Sequence, residues 1–330
     1  MKKIIWLTII PFIIIIVLYK SQRENLNLTF KRNYTKPIVL QDLLKVNGTN
    51  LTRIRKYGDL FSFYDLNSNE IVTINRLSLI EKKYGGQGND SGRFNLVIGM
   101  DMDSTNLYLL DPRNKRQTII NYRTTKQNFN NVLSFERGVT LSTKNILLNV
   151  FNNNSNDLNF IKSSFNKTHL DTLIFPLKIV GDGAFANDGF YKKNLKGEII
   201  FTLYHLGKFI CLDTSGIVKY TSQTIDNYSK LPITVKTGSS FVISKKSVSV
   251  NKATALNSNY IFILSNLKST EDNINYPIDT EFIDVYSLKD GKYIYSYPLP
   301  SFKTSINDIE ADDSELYILT ENHVKTIKLK

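Results

Sequence analysis

The 330-residue chain has one cysteine, Cys211, which excludes an internal disulfide framework. It has three histidines, His169, His205 and His323, far apart and without HxH or HExxH spacing, so no zinc site of the common kinds is spelled out. Small residues are missing at the exit of the leading apolar run except for Ser21, and the first alanine is Ala184, so no signal-peptidase cleavage pattern follows that run. No segment of the body keeps a sustained 3.6-residue apolar period, so helix is expected to be scarce. No dense basic run is present, which argues against a nucleic-acid-binding arm despite a net charge of +12. Two glycines five apart followed by Lys and Ser/Thr, the phosphate-cradling spacing, are absent as well.

What the chain does have begins at its first residues. Met1-Lys-Lys is followed by an apolar stretch of sixteen residues, 4–19, with Trp6 and Tyr19 near the ends. That length lies between a signal-peptide core and a full helical span. Without a cleavage pattern it reads as an uncleaved signal anchor, a transmembrane helix over residues 1–20. More basic residues follow the run (Lys20, Arg23, Lys31, Arg32) than precede it, and by charge counting alone the rest would stay inside. Large domains translocate largely regardless of such charge. The expected location is therefore membrane-anchored, with the domain on the periplasmic or other extracytoplasmic side. Residues 21–50 read as a tether and lead-in segment, in which Gln41–Val46 fits one strand or one helical turn.

From Leu51 to the C-terminus the chain is rich in Tyr, Phe and β-branched runs bounded by Asn, Asp and Gly, which are strand signals. A strand–turn–strand unit recurs about six times. Its clearest copies are Gly99–Tyr122, containing Leu107-Tyr-Leu-Leu-Asp111, and Ile309–Leu329, containing Leu316-Tyr-Ile-Leu319. Spacing of roughly 40–50 residues between units, with long irregular connections at 164–187 and 222–252, predicts an all-β propeller over residues 51–330 rather than a sandwich. Six blades are expected, with seven also open.

Residues 84–122 carry the most specific pattern: Tyr84-Gly-Gly-Gln-Gly-Asn-Asp-Ser-Gly-Arg-Phe94, then Ile98-Gly-Met-Asp-Met-Asp103, then Leu107–Asp111 and Ile119-Ile-Asn-Tyr122. With the preceding Phe63-Tyr-Asp-Leu-Asn-Ser-Asn-Glu-Ile71, this resembles the NHL and TolB-like six-bladed propeller families over about 60 residues. The resemblance implies a glycine-rich loop that ends in Phe94 and leads into an inner strand. In physical terms the glycines permit backbone conformations closed to other residues, and Phe94 is free to anchor the returning chain between blades.

Candidate functional residues fall in two groups. Asp101 and Asp103, then Asp308, Asp312 and Asp313, fall in equivalent places of two units, and carboxylates there, Asp101, Asp103 and Asp308 above all, could ring a central channel and bind a cation, as in some lactonase-type propellers. Turn chemistry explains the same residues without a ligand. Gly181–Gly189 interrupts the pattern and offers Asp182, Phe185, Asn187 and Asp188 as a binding loop, with Arg93 as a further candidate. The basic clusters Arg53-Ile-Arg-Lys56, Arg113-Asn-Lys-Arg116 and Lys192-Lys193 read as solvated surface. Cys211 reads as a small core residue. No catalytic constellation, metal or cofactor is spelled out. The expected role is therefore non-catalytic binding of a protein, peptide or glycan partner, with no nucleic acid. The alternatives are a propeller hydrolase or lactonase with a channel metal, and an accessory subunit of a membrane redox or export complex.

Overall fold

The computed structural model describes residues 28–35, 38–88, 92–152, 157–164, 170–173, 185–238, 240–302 and 304–329. The expected anchor, residues 4–19, lies outside the described residues. Among those described, no helix is long and apolar enough to cross a membrane.

Among the described residues the strands form six four-stranded antiparallel sheets and one small hairpin. Blade I runs Leu51–Tyr57, Leu60–Asp65, Glu70–Asn75 and Glu81–Gly85. Blade II runs Gly99–Met102, Asn106–Asp111, Arg116–Asn121 and Gln127–Asn131. Blade III runs Arg137–Thr140, Asn145–Asn152, Asp157–Ser164 and Leu170–Leu173. Blade IV runs Gly189–Lys193, Ile199–Leu203, Lys208–Leu212 and Val218–Gln223. Blade V runs Asn251–Leu256, Tyr260–Ser265, Phe282–Ser287 and Tyr293–Pro298. Blade VI takes Ile306–Ala311, Glu315–Thr320 and His323–Lys328 from the C-terminus, and its outermost strand, Gln41–Lys45, from the N-terminal side. The hairpin, Thr234–Thr237 with Ser240–Ile243, fills part of the long connection into blade V.

Each blade's first strand is innermost, and the six inner strands touch their neighbours in a closed circle, I to VI and back to I. Six apolar clusters fill the six seams. Phe61 and Phe63 meet Tyr317 and Leu319 between blades I and VI, and Phe160 meets Phe201 between III and IV. Ile200, Phe209 and Cys211 meet Ile261 and Tyr286 between IV and V. The second strands are continuous apolar runs because both of their faces are covered: Leu107–Leu110 and Leu316–Leu319 are buried throughout. Outer strands such as Val218–Gln223 alternate between half-buried and exposed residues. A single sheet has no interior of its own, so each seam exists only through its neighbour.

The turn chemistry behind the repeat is visible residue by residue. Asp103 accepts from the amides of Thr105 and Asn106 at 2.7 and 2.8 Å and from the Tyr108 hydroxyl at 2.6 Å. Asp312 does the same with Ser314, Glu315 and Tyr317 at 2.8, 2.8 and 2.7 Å. The tyrosine of each Leu-Tyr strand thus reaches back to lock the turn before it. Asp111, at the end of its strand, accepts from the Asn95 amide at 2.9 Å and ties the incoming loop to the hairpin. Gly85, at φ +94°, leaves room for the Phe94 ring, which would lie 2.3 Å from an added Cβ. Phe94 is fully buried in the seam between blades I and II.

Residues 28–35 pack against blade V. The guanidinium of Arg32, fully buried, donates to Asp284 at 2.7 and 3.0 Å, to Asp272 and to the Leu267 carbonyl at 3.1 Å. It lies between the rings of Phe30 and Phe282. Asp272 sits in the short Thr270–Asn275 helix, capped by Ser269. The region read as tether therefore supplies both this clamp and the closing strand of blade VI.

Candidate functional site

Two of the three basic clusters lie on inner strands, not on the solvated surface. Arg53, Arg55 and Lys56 belong to the inner strand of blade I, and Lys192 and Lys193 to that of blade IV. Inner strands edge a polar axis, so basic side chains there line the channel instead of an apolar seam.

At mid-height the channel is crossed. Lys192 Nζ reaches from blade IV to the Ile54 carbonyl of blade I at 3.1 Å, and to Asp308 Oδ2 and the Ile309 carbonyl of blade VI at 3.0 and 2.9 Å. Arg55 donates to the Met100 carbonyl at 2.5 Å and to Glu310 at 2.7 Å. Lys193, one residue on and facing the other way, bonds the Thr140 carbonyl at 2.7 Å and pairs with Asp101. Burial pushes the Asp101 carboxyl up, with Lys193 and Arg55 pulling it back. Burial and the like charge of Arg55 push Lys192 down, with Asp308 and Glu310 opposing. Three cations and three carboxylates thus form a neutral crossbar that separates two cavities, with Arg55 in the wall of both.

The cavity on one side, about 230 Å³, is lined at the ends of the inner strands by Lys56, Asp101, Lys193 and Asp312 among others. Its charges are matched, with Lys56 bonded to Asp312 at 2.6 Å. The cavity on the other side, about 140 Å³, opens at the starts of the inner strands, the end at which the inter-blade connections arrive. It is lined by Arg53, Phe190, Tyr204, Lys252, Asn307 and Asp308 among others.

Three of the six inner strands carry a β-bulge, and every bulge feeds this second cavity. In blade I, Arg53 and Ile54 stand between the pairs Thr52–Tyr64 and Arg55–Ser62. In blade V, Lys252 is the extra residue between Asn251–Ser265 and Ala253–Leu264. In blade VI, Asn307 is the extra residue between Ile306–Thr320 and Asp308–Leu319. Bulges re-aim side chains out of the regular alternation. Arg53 is also left-handed, at φ +55°. Its Nε donates to the Val97 carbonyl at 2.6 Å. Burial pushes its pKa down, helped by Arg137 and opposed by Tyr204 and Asp308.

The expected site residues are distributed as follows. Asp101 and Asp308 line the channel, each beside a lysine. By register the counterpart of Asp101 is Glu310, since both stand opposite the tyrosine of the next strand. Asp103 sits in the turn already described. Asp188 pairs with Arg137 at 2.9 Å, and Arg137 lies over the Tyr204 ring at 5.8 Å, so this end of the Gly181–Gly189 loop abuts the smaller cavity. Phe185 and the buried Asn187 form a 3-10 turn just before it. Asp182 lies outside the described residues. Arg93 is exposed in the loop leading into blade II, its guanidinium against Gly86. Among the described residues no group of three or more His, Cys, Asp or Glu is placed to hold a metal ion.

Reading by residue type missed Tyr204, Phe190, Lys252 and Asn307. For Lys252 and Asn307 the signal is register: each breaks a pairing that can be counted only once the strands are in place.

No family model matches the chain, and no curated protein matches it. Solved structures do. Virginiamycin B lyase from Staphylococcus aureus superposes with a TM-score of 0.53 at 11% identity, covering 89% of this chain and 100% of that one. A protein of unknown function from Bacteroides thetaiotaomicron gives 0.55 at 11%, covering 92% and 75%. A Bacteroides fragilis protein described as exported gives 0.53 at 12%, covering 93% and 98%. At such identities the likeness is one of fold, and in fold the chain is an all-β, six-bladed propeller.

Proposed function

We propose that this chain is a non-catalytic binding propeller, held to a membrane by residues 4–19, that receives a protein, peptide or glycan partner on the face where the inter-blade connections gather. The observation that carries the reading is the convergence of Arg53, Lys252 and Asn307, the extra residues of three inner-strand bulges, on one cavity at that face. Bulges disrupt a ladder locally and are over-represented beside working sites. An extracytoplasmic location is supported by the apolar run with its short basic stub and by the exported likeness from Bacteroides fragilis. Placement in the NHL or TolB-like group rests on the glycine-rich loop ending in Phe94 and the Leu107–Asp111 strand.

The hydrolase or lactonase alternative calls for channel carboxylates free to take a cation. Asp101 and Asp308 are instead engaged by Lys193 and Lys192, which favours binding over metal chemistry. The test is a pull-down of the full chain from detergent extract, with bound proteins and glycans identified. A partner retained by the wild type and by Lys219→Gln on the blade IV rim, but lost from Lys252→Ala/Asn307→Ala, supports the reading. A partner retained by all three, or stoichiometric metal lost on Asp101→Ala, refutes it.

A further inference from the structure

We infer that the smaller cavity binds an oxyanion group, a carboxylate or a phosphate or sulfate monoester, whose aromatic or apolar neighbour rests against Phe190 and Tyr204. The inference deepens the binding reading above and rests on it.

The cations around this cavity are not equivalent. Arg55 is paired with Glu310 at 2.7 Å, Lys192 with Asp308 at 3.0 Å, Lys252 with Glu281 at 2.5 Å, and Arg137 with Asp188 at 2.9 Å. Arg53 forms no ion pair among the described residues; its one hydrogen bond there runs from Nε to the Val97 carbonyl. That bond fixes the plane of the guanidinium and leaves Nη1 and Nη2 without a hydrogen-bond partner among the described residues. This pair of N–H groups matches the two oxygens of a carboxylate or phosphate.

Tyr204 supplies a second donor. Its hydroxyl has no partner among the described residues, and burial raises its pKa against the pull of Arg137 and Arg53, so at neutral pH it keeps its proton. Its ring lies 4.9 Å from that of Phe190, tilted by 52°, and forms an apolar wall beside the two donors. The one carboxylate in the lining, Asp308, has both oxygens engaged, Oδ2 by Lys192 and Oδ1 by the Ile309 amide at 2.9 Å. A volume of about 140 Å³ suits a head group and not a whole oligosaccharide or peptide. The remainder of the ligand would lie across the face outside.

The backbone points the same way. A non-glycine residue held left-handed inside a strand is strained, and such strain collects at ligand clamps. Here it sits at the one cavity arginine without a carboxylate.

The test is titration calorimetry on the purified chain with four probes: benzoate, phenyl phosphate, acetate and uncharged benzamide. Wild type is expected to bind benzoate or phenyl phosphate at least tenfold tighter than benzamide, and benzoate tighter than acetate. The preferred anion tells a carboxylate ligand from a phosphate one. Arg53→Gln is expected to weaken anion binding tenfold or more and Tyr204→Phe several-fold, while Lys219→Gln stays at the wild-type value. Equal binding by wild type and Arg53→Gln, or equal binding of benzoate and benzamide, overturns the inference. Tyr204→Phe, which leaves the bulge intact, decides the matter if Arg53→Gln does not fold. Failure here while the pull-down partner is still lost from the Lys252/Asn307 variant refutes the anion assignment alone. Binding of the anions with no partner recovered refutes the partner reading and leaves the anion site standing.

Discussion

Replacing Arg53 by alanine and, separately, by glycine isolates the strain at the blade I bulge. Both variants lose the same side chain and the same Nε–Val97 bond. They differ only in the Cβ, placed at φ +55°. Left-handed backbone costs an L-residue with a Cβ roughly 1–2 kcal/mol. Glycine in a strand ordinarily loses about 0.5–1 kcal/mol to alanine through backbone entropy. At the mid-points of the two ranges glycine comes out ahead by about 0.75 kcal/mol, the reverse of the usual strand order. With a urea m-value of about 3 kcal/mol/M, the unfolding midpoint of the glycine variant should lie about 0.2–0.3 M higher. Circular dichroism is the suitable probe, because the single tryptophan, Trp6, lies in the leading apolar run. An alanine variant as stable as the glycine variant, or more so, would refute the claim that Arg53 is held under strain.

Three further outcomes are expected. Arg32→Leu leaves Asp272 and Asp284 buried without their counter-charge and should cost about 3–5 kcal/mol by chemical unfolding; adding Asp272→Asn and Asp284→Asn should recover much of the loss. Lys192→Met should cost about 3–5 kcal/mol by stranding the Asp308 carboxylate, whereas Lys219→Met, in an exposed pair with Glu198, should cost under about 1 kcal/mol. Burial would raise the Asp312 carboxyl, but hydrogen bonds from Lys56, Ser314 and Tyr317 outweigh it and hold its pKa below the ordinary value. A depressed folded-state pKa contributes stability above about pH 4 that drains away as pH falls further. Acid titration of Asp312→Asn should therefore show a shallower loss below about pH 4 than wild type, and parallel curves would refute the assignment.

The blades were legible because each hairpin announces itself locally. Leu107-Tyr-Leu-Leu-Asp111 and Leu316-Tyr-Ile-Leu319 carry their own apolar run, and the tyrosine and aspartate that bond across each turn stand five residues apart. Gln41–Val46 stays ambiguous between strand and helical turn because its partner, Val324 and its neighbours, is some 280 residues away. The hairpin within 222–252 escapes notice for a related reason: its outward residues, such as Val235 and Val242, are half-exposed and give no buried face to read. The candidate site was the least legible part. Arg53 and Lys192 look like ordinary surface cations until the ring places their strands beside the axis. The bulges that bring Lys252 and Asn307 into the cavity are differences between two pairing counts, a property that neither strand has alone.

The sixth sheet joins residues 41–45 to a strand that ends at Lys328. During synthesis that seam cannot form until residues 323–328 have emerged, so earlier blades wait as an open arc with two bare flanks. Pairing across so long a separation is slow and leaves apolar seams open in the interim. A nascent chain of this design thus closes its ring last, however early its first blades take shape.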